Sequence, residues 1–83
     1  MNLQAKDMAK LSPISAKKMF KILKGLGFKL VRVKGSHHFF LNNQTGKTTT
    51  VPLHSREDLS VGLLREILKD IELSVEEYNK ARK

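Results

Sequence analysis

Residues 34–41 read KGSHHFFL, and two of the chain's three histidines, His37 and His38, stand side by side there. The third, His54, closes the run TVPLH. Imidazole titrates near pH 6.5 in its ordinary state, so it can accept or donate a proton at working pH. Three chemistries are open to such a pair. A zinc site needs further ligands, but the sequence has no cysteine and no Asp or Glu between Met8 and Arg56. Neighbouring strand residues also point to opposite faces, so His37 and His38 cannot easily share one ion. A nucleophilic triad needs an elbow around Ser36 and a paired acid, and neither is visible. Acid–base chemistry on RNA remains: an imidazole takes the proton of a ribose 2′-OH, which attacks the adjacent phosphate, while lysine or arginine holds the charge. A structural role for one histidine of the pair is equally in keeping with the residues.

Cations for that chemistry are abundant. The chain carries 16 Lys and Arg against 8 Asp and Glu, a net charge of +8. The distribution is one-sided: Lys10, Lys17, Lys18, Lys21, Lys24, Lys29, Arg32, Lys34, Lys47 and Arg56 precede all the acids except Asp7. Such a field attracts polyanions, nucleic acid above all. Lys34, Lys47 and Arg56 flank the histidine-bearing segments and are expected to lie near His37 and bind phosphate.

The elements that must position these groups follow from periodicity. Residues 15–26 place Ala16, Met19, Phe20, Leu23 and Leu26 at helical spacing, with Ser15 as N-cap and Gly27 suited to the left-handed position after the last turn. Residues 28–34, 37–41 and 48–53 read as three short strands, joined by a turn at Gly35 and by the polar loop 42–47. Pro52 belongs at a strand end or a sheet edge. Short connections imply antiparallel pairing. Ser60 opens a second helix with Val61, Leu64, Leu68 and Ile71 on one face and Leu63 and Ile67 beside it. Ser74 and Glu77 form a capping box for a short third helix, with Leu73 and Tyr78 placed as a staple. The fold class is α+β: α-β-β-β-α, a three-stranded antiparallel sheet with helices on one face and a short C-terminal helix.

Eighty-three residues make one domain with a small core. Residues 1–13 are expected to be a flexible leader and residues 14–83 the domain. No apolar run approaches the length of a membrane span, and no membrane partner is expected. The absence of cysteine suits the reducing cytoplasm.

The runs GFKLVRVKGSHHFF, TVPLH and GLLREILKDIELSVEEY resemble the HicA-like (YcfA-like) toxins of bacterial and archaeal toxin–antitoxin pairs, over Ile14 to Tyr78. The resemblance implies a fold like the double-stranded-RNA-binding domain. It implies an endoribonuclease that cuts mRNA and halts growth, and a HicB-like antitoxin that blocks it; from the residues themselves, single-stranded mRNA is the expected substrate and no metal or other cofactor is expected, since acid–base chemistry on the 2′-OH requires none. The catalytic residue the resemblance implies is the histidine directly after Gly-Ser, His37. Lys34, Ser36, Lys47, His54 and Arg56 are the expected RNA-binding residues; His54 matches the histidine of VPxH, and a substrate contact and a structural hydrogen bond are both open for it. The choice of His37 over His38 rests on this resemblance. Where the family often has proline near the start of the second helix, this chain has Val61. Two other functions remain compatible with the residues: a non-catalytic RNA-binding module of the same fold, and an interaction protein that docks an acidic partner.

Overall fold

The structure is a computed structural model and describes residues 10–82. The element order is β1 (Ile14–Ser15), α1 (Ala16–Gly25), β2 (Lys29–Lys34), β3 (His37–Leu41), β4 (Thr48–Pro52), β5 (Asp58–Leu59), α2 (Val61–Asp70) and α3 (Val75–Ala81). The three-stranded sheet has the order β2-β3-β4, all antiparallel, so the α-β-β-β-α reading holds. The two-residue ladder between β1 and β5, which pairs Ile14 with Leu59, has no counterpart in the sequence reading. Two-residue strands carry no periodicity to detect. Of the expected leader, residues 1–9 lie outside the described residues. Leu11 packs against the core, and Lys10 accepts a hydrogen bond on its carbonyl from Asn79 Nδ2 at 3.4 Å.

Each helix starts on the serine expected of it. Ser15, Ser60 and Ser74 accept hydrogen bonds from the backbone N–H three residues on, at 3.1, 3.2 and 3.0 Å. In the capping box, the Glu77 carboxylate accepts from Ser74 N–H at 2.9 Å, and the hydrogen bonds to Ser74 hold its pKa below the usual carboxylate range. That contribution is therefore present above the ordinary carboxylate pKa and is lost as pH falls through the lowered value. Both α1 and α2 lie against β4 on one face of the sheet. The largest fully buried side chains of the core are Met19, Leu23, Phe40, Val51, Leu64, Ile67 and, from α3, Tyr78. Ile67, expected at the flank of α2, is fully inside.

Asn42 fastens the far end of the β3–β4 hairpin to α1. Its Oδ1 accepts from Gln44 N–H at 2.9 Å and Thr45 N–H at 3.2 Å, and its Nδ2 donates to the Leu26 carbonyl at 3.3 Å. Gly27, at φ 97°, passes so close that a Cβ there would stand 3.3 Å from Asn42 Nδ2. The side chain is 7% exposed, so its removal strands three backbone groups in a poorly hydrated place. We predict that Asn42→Ala lowers unfolding free energy by about 2 kcal/mol in urea titration. A loss below about 0.5 kcal/mol would show that water replaces the side chain without cost.

Candidate active site and basic sheet face

Lys34 and His37 stand opposite each other at the ends of β2 and β3, joined by the two-residue turn Gly35–Ser36. Gly35 has φ 59° and Ser36 a negative φ, which is the pattern of a type II′ hairpin turn and explains the glycine. The next connection closes on the same turn: Leu53 N–H donates to the Ser36 carbonyl at 2.8 Å. Gly-Ser-His and Val-Pro-Leu-His, whose histidines are 17 positions apart in sequence, are thereby neighbours.

The two histidines face opposite ways. His38 lies on the helix side, its ring 4.9 Å from that of Phe20, and its Nδ1 is 2.9 Å from the Ser36 carbonyl. A carbonyl only accepts, so Nδ1 carries the proton. His38 is thus engaged in packing and in fixing the turn. His37 is exposed on the opposite, open face and has no hydrogen-bond partner among the described residues.

Register decides what else lies on that open face. Arg32 is opposite Phe39, and Lys29 is opposite Leu41, while Leu30 is opposite Phe40. Between Leu30 and Arg32 the register shifts by one, a β-bulge that leaves Val31 without a partner. Strict alternation would put Lys29 on one face and Arg32 and Lys34 on the other. The bulge rephases the strand and aligns all three cations with His37 and Phe39. The Arg32 guanidinium sits 5.8 Å from the Phe39 ring centroid, a contact across the same face. Lys29, Arg32 and Phe39 were not among the residues singled out from sequence; the signal that groups them is the bulge, and it is invisible in the residue types.

The structure distributes the remaining sequence-predicted residues unevenly. Ser36 is in the turn itself, and its backbone carbonyl is taken by His38 and Leu53. His54 and Arg56 follow at the same end of the sheet, both exposed, and with Lys17 of α1 they line a cleft of about 550 Å³. Arg56 holds φ 65° at the third position of the turn closed by Glu57 N–H to the His54 carbonyl at 3.2 Å. Lys47 departs from the expectation that it lies near His37. It precedes Thr48, which pairs with Leu41 at the other end of the hairpin, roughly 16 Å away along the strand. There its Nζ forms an ion pair with Glu72 at 3.4 Å. Nearness in sequence to a strand does not set nearness to the end that carries His37.

A family model for the HicA toxin of bacterial toxin–antitoxin systems matches residues 16–73, from the first residue of α1 to just past α2. The chain belongs to the HicA toxin family. The HicA match takes in the whole three-stranded sheet and the segment from Gly35 to Arg56, and leaves β1 and α3 outside it. No curated protein matches the sequence. Membership identifies the chain as the toxin of a toxin–antitoxin pair and implies an antitoxin as partner. No helix among the described residues is long and apolar enough to cross a membrane.

Two outcomes separate positioning from display in this HicA chain. His38→Ala removes a ring packed at a tilt against Phe20 and a hydrogen bond, and is predicted to cost about 2 kcal/mol, whereas His37→Ala costs less than about 0.5 kcal/mol. Parallel urea melts decide; equal losses would erase the distinction. Arg56→Gly relieves a left-handed backbone and is predicted to raise stability by up to about 1 kcal/mol. A lowered melting point would show that the Arg56 side chain itself stabilises the turn.

Proposed function

We propose that the chain is an endoribonuclease that cleaves single-stranded mRNA in the cytoplasm, with His37 as its general acid/base and no metal in the reaction. The observation that carries this reading is the open face: His37 exposed with Lys34 directly opposite it, Phe39 and Arg32 further along, and the other histidine of the pair engaged elsewhere. An imidazole at that place takes the proton from a ribose 2′-OH. The 2′ oxygen attacks the adjacent phosphorus as the bond to the 5′ oxygen breaks; the leaving oxygen takes up a proton from the imidazolium or from water, and a 2′,3′-cyclic phosphate and a 5′-hydroxyl result. Lys34 offsets the charge that gathers on the phosphate. Phe39 is two residues from His37 on the same face, roughly 7 Å away, a spacing that suits a base stacked on the ring while its neighbour's phosphate meets the histidine. Single-stranded RNA is favoured because only unpaired bases can lie on such a platform.

Around this centre, Ser36, His54 and Arg56 extend the RNA contacts past the turn, and Lys29 and Arg32 extend them along β2. Lys47 joins only for RNA long enough to run the length of the sheet. The residues on the open face include no carboxylate, so the donor set is unlike those that hold two metal ions for phosphoryl transfer.

The test is cleavage of a single-stranded RNA by the natural chain and by His37→Ala. The variant is expected to lose roughly 10²–10⁴ in rate with RNA affinity little changed. Activity is expected to survive excess chelator, and to vanish on a substrate with one 2′-deoxy position at the cut. Full activity of His37→Ala, or full-rate cutting of the deoxy substrate, would overturn the mechanism. Binding without any cleavage by the natural chain would leave an RNA-binding module. Neutralising Lys34 or Arg32 is expected to flatten the salt dependence of binding by about one unit of slope.

A further inference from the structure

β2 is an outer strand, paired with β3 on one side only. All six of its residues are exposed. The large apolar side chains left open to solvent among the described residues are concentrated on it: Leu30 at 42%, Val31 at 55% and Val33 at 53%. Leu30 and Val33 are opposite Phe40 and His38, which lie on the helix side, so both project to that side and stay open to solvent there. Lys29, Arg32 and Lys34 project to the other. The free edge therefore presents unpaired backbone groups flanked by an apolar row on one side and a cationic row on the other. A strand edge of this kind is a template for another strand.

The side chains select what can pair there. A second copy of the chain would set three cations against three, and like charges opposite one another oppose pairing. RNA has no ladder of amides to offer and nothing to cover Leu30 and Val33. An extended polypeptide whose side chains alternate acidic and apolar satisfies every part of the edge: backbone to backbone, carboxylates over Lys29, Arg32 and Lys34, apolar groups over Leu30 and Val33.

We propose that the free edge of β2 is the docking site for such a strand from a partner protein. Its carboxylates would stand where RNA phosphates are expected, and Lys34 would be drawn from its place opposite His37. Docking would thus close the basic face, a consequence that rests on the function proposed above; the docking itself rests on the edge alone.

The experiment measures binding without RNA, so its result is independent of nuclease activity. The probe is a short peptide of alternating Glu and Val, titrated into the full chain while backbone amide exchange is followed by NMR. Slowed exchange within residues 29–34 is expected. A peptide of the same composition with one central proline, and one of alternating Lys and Val, are expected to bind at least about tenfold more weakly. In the double variant Arg32→Glu, Lys34→Glu the preference is expected to pass from the acidic to the basic peptide. Equal affinity for the proline-containing peptide would show attraction by charge alone and overturn the proposal. So would protection confined to other strands, or protection of β2 that appears on concentrating the chain without peptide, which would assign the edge to a second copy.

Discussion

Phe40 is 1% exposed and lies 5.2 Å from the ring of Phe20, and with a period of two along β3 its burial settles the direction of every neighbour. His38, two residues back, must also turn toward α1, where it finds Phe20 and the Ser36 carbonyl. His37 and Phe39 must turn away. The opposite choice would bury Phe39 in place of Phe40, an exchange of one phenylalanine for another, so the decision lies with the helix side chains that receive the ring, Phe20 among them. The exposed position of the site thus follows from packing on the other side of the sheet. Core and open face are two readings of the same strand.

From that anchor the rest is assembled by short-range devices. The Gly35–Ser36 turn places β2 beside β3. Pro52 ends β4 on the outer edge, where its missing N–H costs nothing to the ladder. The Ser36 carbonyl then collects both the His38 ring and the Leu53 amide, so a single acceptor holds together the turn, the structural histidine and the segment that leads to His54 and Arg56. At the far end Asn42 serves the same purpose for the hairpin and α1. The end of the sheet that carries His37 and the end that carries Asn42 are stabilised separately.

Most of this was legible beforehand because it depends on residue type at fixed offsets. Serine caps, the glycine after α1, the capping box and the alternation in HHFFL all translate directly into geometry. The assignment of the buried phenylalanine was not legible, since Phe39 and Phe40 are identical in kind and only the helices tell them apart. Nor was the β1–β5 ladder, whose two pairs leave no pattern; the position of Lys47, by contrast, was legible, because an antiparallel hairpin of 37–41 and 48–53 sets the residue before Thr48 next to Leu41 and away from His37. The grouping of Lys29 with Arg32 and Lys34 was hidden for a different reason: the alternation rule itself, correctly applied, separates them.

The bulge at Val31 has a consequence for how changes in the chain's length are tolerated. Losing that one valine would leave the charge untouched and the composition almost so, and a comparison by residue content would hardly register it. Yet regular alternation over the shortened strand would carry Lys29 to the side of Arg32 and Lys34 without the kink, straightening an edge that the bulge now twists. A straighter edge is a more general template for pairing. On the docking proposed for this edge, Val31 would supply discrimination: an irregular outline that suits a matching strand and discourages indiscriminate ones.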